Sequence, residues 1–217
     1  MNFQAIIFDM DGLMLDTERV YRDIFNRAAA DCAIQFPDWL HLKLLGRNTA
    51  DMKRILREFL QDQSLFDTYM ERNRHHHTIC FADAPPIKQG LMELLDWIES
   101  KNIPKVVATS TPRKHAIPRL QQCGLLHRFA SVSCGDEVAH GKPAPDLFLL
   151  AASTIPAEPA RCIVLEDSEA GVQGAHAAGM TALMVPDLKQ PADDIRKLAH
   201  GVHNSLIEVK EKLAHLL

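Results

Sequence analysis

Short apolar runs that alternate with helical patterns constrain this chain more tightly than any other feature. Ala5-Ile6-Ile7-Phe8 opens the series, and Val106-Val107-Ala108, Ala130-Ser131-Val132, Ile163-Val164-Leu165 and Ala182-Leu183-Met184-Val185 continue it. An unbroken apolar run of this length is how a strand buried on both faces of a parallel sheet is written. From about residue 104 onward the runs alternate with the stretches PRKHAIPRLQQCGL, APDLFLLAAS, SEAGVQGAHAAGM and ADDIRKLA. Strand-then-helix repetition predicts an α/β fold, a doubly wound parallel sheet forming a Rossmann-like core. With 217 residues, 47% of them hydrophobic, the chain can bury such a core and carry a smaller lobe besides.

Residues 16–85 read differently. Met52, Ile55, Leu56, Phe59 and Leu60 fall at i, i+3, i+4, i+7 and i+8, one apolar stripe of a helix that Thr49 is placed to cap. Val20, Ile24, Phe25 and Ala28 make a similar stripe. No comparable buried strand is legible in this stretch. It reads as a small all-helical lobe inserted after the first strand, with Asp83-Ala84-Pro85-Pro86 as the return linker. The expected organisation is therefore a discontinuous core, residues 1–15 and 86–217, and a helical cap, residues 16–85. Adjacent residues on a helix point in different directions, so His75-His76-His77 cannot chelate as a set and is expected on a solvated face.

Composition excludes several partners. The net charge of −4, with no long block of cations, leaves no electrostatic footprint for nucleic acid or an anionic membrane surface. Five widely spaced cysteines without a C-x-x-C pair suggest reduced thiols rather than a disulfide framework or zinc site. No stretch has the length of a membrane span, and the first cation, Arg19, comes too late for a secretory signal. The expectation is a cytoplasmic protein acting on a small substrate, with no protein partner indicated.

Four predicted strand ends carry polar residues of distinct chemistry, and in an open parallel sheet those ends converge on one edge. Asp9 and Asp11 follow the first strand, with Gly12 freeing the backbone beyond them. At period two the two carboxylates leave the strand toward the same side. Thr109, Ser110 and Thr111 end the second strand just before Pro112, placing hydroxyls and free amides where a helix begins. Lys142 precedes the proline-started segment Pro143-Ala144-Pro145-Asp146, and the fourth strand runs into Glu166 and Asp167. Singly, each has an ordinary explanation: a solvated turn, a helix cap, a solvated lysine. Together, three or four carboxylates on one rim require a divalent cation. Oxygen-only ligands suit Mg²⁺, and the hydroxyls, amides and lysine suit a phosphoryl group.

These residues carry a resemblance. D-M-D-G-L-M-L-D-T at 9–17, A-T-S at 108–110, K-P-A-P-D at 142–146 and L-E-D-S-x-A-G at 165–171 resemble, in order, the four motifs of the haloacid dehalogenase superfamily. The insertion at 16–85 resembles that of the β-phosphoglucomutase-type phosphatases and phosphomutases. The resemblance implies that Asp9 is a nucleophile forming an aspartyl-phosphate and Asp11 the general acid and base. It also implies that Thr109, the Ser110 amide and Lys142 bind phosphate. Asp9, the Asp11 carbonyl and Asp167 would ligate Mg²⁺, with Glu166 orienting them or substituting as a ligand. Asp16 and Thr17 would stabilise the turn after Gly12. The expected activity is Mg²⁺-dependent hydrolysis of a small phosphorylated metabolite.

Two alternatives are separable. A β-phosphoglucomutase-like mutase would be expected to carry a histidine near Tyr21 and an arginine near Thr49, whereas this chain has Arg19-Val20-Tyr21 and Gly46-Arg47-Asn48-Thr49. Water is thus favoured over a sugar hydroxyl as the acceptor, while Arg47 remains a candidate contact to a substrate anion. A phospho-accepting signalling module of the receiver type would carry no inserted lobe and would place its phosphorylated residue on an interior strand of the chain order. The dehalogenases themselves need neither a second aspartate two residues on nor Mg²⁺, so Asp11 argues against that branch.

Overall fold

The computed structural model describes residues 3–44, 47 and 49–216. In chain order its elements are β1 (Ala5–Phe8), α1 (Thr17–Asp31), α2 (Asp38–Leu44), α3 (Thr49–Leu60), α4 (Gln63–Cys80), α5 (Leu91–Ser100), β2 (Lys105–Thr109) and α6 (Arg113–Gln122). There follow β3 (Val132–Cys134), α7 (Asp146–Ser153), β4 (Cys162–Glu166), α8 (Glu169–Ala177), β5 (Thr181–Met184), α9 (Asp193–Leu198), β6 (Gly201–Val202) and α10 (Leu206–Leu216).

All six strands lie parallel in the order β3-β2-β1-β4-β5-β6. Side chains alternate across the sheet and build two apolar layers. Ile6, Phe8, Val107, Ile163, Leu165 and Leu183 pack with α5, α6 and α10 on one face. Ala5, Ile7, Val106, Val164 and Met184 pack with α7, α8 and α9 on the other. Ile7 stands opposite Val106 on one side and Val164 on the other, so β1 is central. From it the chain moves outward one way through β2 and β3 and the other way through β4, β5 and β6. A ligand crevice is expected where the winding reverses, beyond the carboxyl end of β1.

Between β1 and α5, helices α1 to α4 enclose a separate apolar cluster around Phe25, Leu40, Ile55, Leu56, Phe66 and Tyr69. Of the predicted stripes, Phe25, Ala28, Ile55 and Leu56 enter it and Met52, Phe59 and Leu60 pack at its margin, whereas Val20 and Ile24 lie outside it. Entry to and exit from this lobe run side by side. Leu15 bridges to Ile87, the Asp16 amide donates to the Pro86 carbonyl at 2.8 Å and the Lys88 amide to the Met14 carbonyl at 2.9 Å.

Local boundaries depart from the sequence reading in two places. Thr49 is the first residue of α3 instead of its cap, and the residues before it, Gly46 and Asn48 among them, lie in part outside the described residues. The third strand begins at Val132, two residues later than its apolar run. Ala130 and Ser131 only lead into it, and Ser131 turns its hydroxyl to Thr154 at 2.6 Å. Ser133 and Cys134 carry the buried strand positions instead.

Candidate active site

At the carboxyl end of β1, Asp9 is 6% exposed. Its Oδ1 accepts a short hydrogen bond from Lys142 Nζ, which also reaches Glu166 Oε1 at 2.5 Å and the Ala108 carbonyl at 3.1 Å. Lys142 is therefore not the solvated lysine that its loop position allows. Burial by itself lowers an ammonium pKa, but Asp9 and Glu166 outweigh it and hold Lys142 firmly protonated. The Asp9 carboxyl is raised well above its ordinary value, chiefly by burial, with Glu166 and Asp11 adding to the rise and Lys142 opposing it.

Across the rim, Glu166 ends β4 fully buried. Its second oxygen accepts from the Ser168 amide at 2.8 Å and the Ser168 hydroxyl at 2.9 Å. Ser168 in turn caps α8 through the Gly171 amide at 3.0 Å, which leaves the neighbouring Asp167 free to line the cavity. Two glycines make this packing possible. A Cβ on Gly171 would sit 1.9 Å from the Glu166 carboxyl carbon. At Gly12, with φ +85°, it would sit 2.1 Å from Asp167 Oδ2, so the loop after β1 lies directly against that carboxylate.

Asp9, Glu166 and Asp167 each offer a carboxylate oxygen, and these atoms lie within 4.8 Å of one another. Burial, then Glu166 and Asp9, push Asp167 well above its ordinary pKa. Three crowded hard oxygen donors, with Asp9 and Asp167 both raised by burial and by the neighbouring carboxylates, fit a divalent cation such as Mg²⁺.

Asp11 has different surroundings. Its Oδ2 accepts from the Thr111 hydroxyl at 2.6 Å and more weakly from Thr109 at 3.4 Å, while Oδ1 accepts from Arg119 at 3.1 Å. Pro112 caps α6 with no side-chain hydrogen bond, so these hydroxyls serve Asp11 and not the helix start. Ser110 lines the cavity beside them.

A cavity of about 640 Å³ lies between this rim and the helical lobe. Tyr21, Phe25, Leu44, Met52, Met70 and Asn73 supply lobe walls, and Arg47 is an exposed cation at its edge. Glu18 also lines it, its carboxyl raised to about 8 by burial and then by Asp11 and Asp187. Asp16, expected to steady the turn, precedes α1 and pairs with Arg19 at 2.5 Å. Thr17 donates back to the Leu15 carbonyl at 3.5 Å.

Arg119 and His77 were not legible as site residues. His75 is exposed as expected, and His76 lies 2.9 Å from Asp31. His77, contrary to the solvated-face expectation, is half-buried with Nε2 at 2.9 Å from Arg119 Nη2. One signal was available for Arg119: it shares the buried stripe of α6 with Ala116 and Leu120.

A family model described as haloacid dehalogenase-like hydrolase matches residues 3–179. The phosphorylated carbohydrates phosphatase of Thermotoga maritima is 32% identical over 177 residues, 82% of each chain. The fructose-1-phosphate phosphatase of Escherichia coli is 32% identical over 186 residues, covering 84% of this chain and 96% of that one. Among solved structures, a Thermotoga maritima protein assigned to the β-phosphoglucomutases superposes with TM-score 0.81 at 29% identity, covering 99% of this chain and all of its own. No helix among the described residues is long and apolar enough to cross a membrane.

Proposed function

The chain belongs to the haloacid dehalogenase-like hydrolases, and from that premise we propose that it hydrolyses the phosphate monoester of a small phosphorylated metabolite through an aspartyl-phosphate on Asp9. The carrying observation is the buried Lys142 clasped between Asp9 and Glu166 at the reversal point of the sheet, with Asp11 two residues beyond. Residues 1–15 and 86–217 serve as the catalytic core and 16–85 as the lid that contacts the leaving group.

In the first step an Asp9 carboxylate oxygen attacks phosphorus. Asp11, as the carboxylic acid, gives its proton to the departing oxygen. In the second, the Asp11 carboxylate takes a proton from water as that water attacks the aspartyl-phosphate, freeing phosphate and Asp9. Thr109 and the Ser110 amide hold the phosphoryl oxygens, and Lys142, whose donors meet Asp9, Glu166 and the Ala108 carbonyl before substrate binds, turns its charge to the phosphoryl group and offsets the crowding of negative charge throughout. Asp9, Asp167 and the Asp11 carbonyl would hold Mg²⁺. Glu166, held by Lys142 and Ser168, orients the set or substitutes as a ligand. The ion would supply charge neutralisation on the phosphoryl oxygens. Arg47, which lines the cavity, would meet a second anionic group of a substrate that carries one.

Water is the acceptor in this reading. Tyr21, where a mutase would present a histidine, packs against Arg119 and Phe81. The test is phosphate release over a panel of phosphorylated metabolites with Mg²⁺ and with excess chelator. Activity is expected only with metal, and undiminished release in chelator would remove the ion from the account. With β-glucose 1-phosphate and a trace of glucose 1,6-bisphosphate, fast isomerisation with little phosphate release would establish the mutase instead.

A further inference from the structure

Arg119 sits in α6 at 3% exposure. A guanidinium so buried is costly unless its charge and its donors are met. Nη1 is met by Asp11 Oδ1 at 3.1 Å, and Nη2 lies 2.9 Å from His77 Nε2. Burial, and after it the neighbouring Arg119 and His115, lower His77 to about 4. The ring is therefore neutral near pH 7, and Nε2 accepts. The Phe81 ring centre lies 3.7 Å from the guanidinium carbon and that of Tyr21 5.3 Å away, two aromatic faces that suit a flat cation. Tyr21 belongs to α1, His77 to α4, and Phe81 follows α4 directly. Three side chains of the helical lobe thus cage a cation of the core and aim it at one acid.

We propose that Arg119 is a positioning residue for Asp11, fixing which carboxyl oxygen delivers the proton, and that Tyr21, His77 and Phe81 fix Arg119 in turn. The inference rests on the reading of Asp11 as general acid and base. A guanidinium only donates. The oxygen facing it, Oδ1, must stay bare when Asp11 is the acid, so the proton resides on Oδ2, beside Thr111. On transfer the Oδ2–H bond breaks and the proton passes to the leaving oxygen. The bond from phosphorus to that oxygen breaks as the bond from phosphorus to Asp9 forms. Arg119 exchanges no proton and keeps its charge. Because its cage belongs to the lobe, the lobe's seating is transmitted to the acid through Arg119.

The experiment compares kcat/KM for p-nitrophenyl phosphate, whose leaving group needs little protonation, with that for the sugar phosphate released fastest in the panel. It uses the full chain with Mg²⁺ and the variants R119M, R119K, F81L and D11N, with thermal melts as a check on folding. R119M is expected to lose about tenfold to a hundredfold more on the sugar ester than on the aryl ester. R119K should recover part of that gap, and F81L should show a smaller gap in the same direction. Equal losses on both esters in folded R119M would mark a merely structural cation and overturn the proposal. Should R119M not fold, R119K and F81L decide, and a wild-type ester ratio in both would overturn it. D11N reads the underlying assignment separately. A steepened ratio in D11N without one at Arg119 defeats only the positioning role, whereas an unchanged ratio in D11N defeats the acid role and the proposal with it.

Discussion

Lys142 and Arg119 are both buried cations, and each faces one of two acids only two residues apart. Their other contacts differ. Lys142 touches Asp9, Glu166, the Ala108 carbonyl and the face of Phe148, all of them core residues on the sheet or α7. Arg119 reaches outward, to His77, Phe81 and Tyr21 of the lobe. A compact ammonium suits the first site, where point charges converge, and a planar fork suits the second, where rings stack. Under the proposed mechanism this is a division of labour: the group that would form the covalent bond is set by the sheet, and the group that would move protons is set where core and lobe meet.

Substitutions test that division, and the largest effect is expected at Asp9, on the sheet side. Asp9→Asn should lower turnover by roughly four orders of magnitude or more and abolish covalent phosphate incorporation. Labelled phosphate retained on the denatured variant would refute the nucleophile assignment. Lys142→Met should cost about 10²- to 10³-fold in kcat and, by stranding two buried carboxylates, about 3–5 kcal/mol of stability. Near-normal rate and melting temperature would show that the core cation is dispensable and would dissolve the contrast. On the other side, Asp11→Asn should lose about 10²- to 10⁴-fold on alkyl esters and distinctly less on p-nitrophenyl phosphate, and an equal loss on both would merge the two roles.

Smaller effects sharpen the picture. Gly171→Ala forces Glu166 off Lys142 and should destabilise by about 1–3 kcal/mol, read as a lowered midpoint in urea. His77→Gln should act through pH. In the fold His77 has its pKa lowered from 6.5 to about 4, so the unfolded chain binds the proton more readily between those values. The stability that neutral His77 allows is complete above pH 6.5 and is lost as pH falls toward 4. The wild type should thus lose about 1–2 kcal/mol more than His77→Gln over that range, the figure being reduced because the ring is only half-buried. Parallel stability curves for the two proteins would mean that His77 does not stay neutral against Arg119.

What was legible follows the same line. Strands β1, β2, β4 and β5 announce themselves because short apolar runs recur between turn residues and helical patterns, and the polar residues that end them fall on one edge for topological reasons alone. Lys142 could be singled out because it stands alone beside prolines. Arg119 could not, because it lies within a stretch carrying Arg113, Lys114 and an internal Pro118, where a further arginine looks like surface. Only its spacing from Ala116 and Leu120 betrays a buried position. His77 was hidden by its neighbours: three successive histidines take three directions, and nothing local says which one faces another element. The shift of β3 has a similar origin, since Ser133 and Cys134 are buried but write no apolar run.

The paired crossing at Leu15–Ile87, with Asp16 bonded to Pro86 and Lys88 to Met14, has a consequence for how such a chain can diversify. A segment that leaves and rejoins its host at one point is, to the host, an ordinary surface loop, and long insertions there add little closure entropy. The ribbon acts as a socket. Under the proposed function, a different lobe that still presents something flat and neutral to Arg119 would change the choice of leaving group while the bond-making machinery is inherited intact.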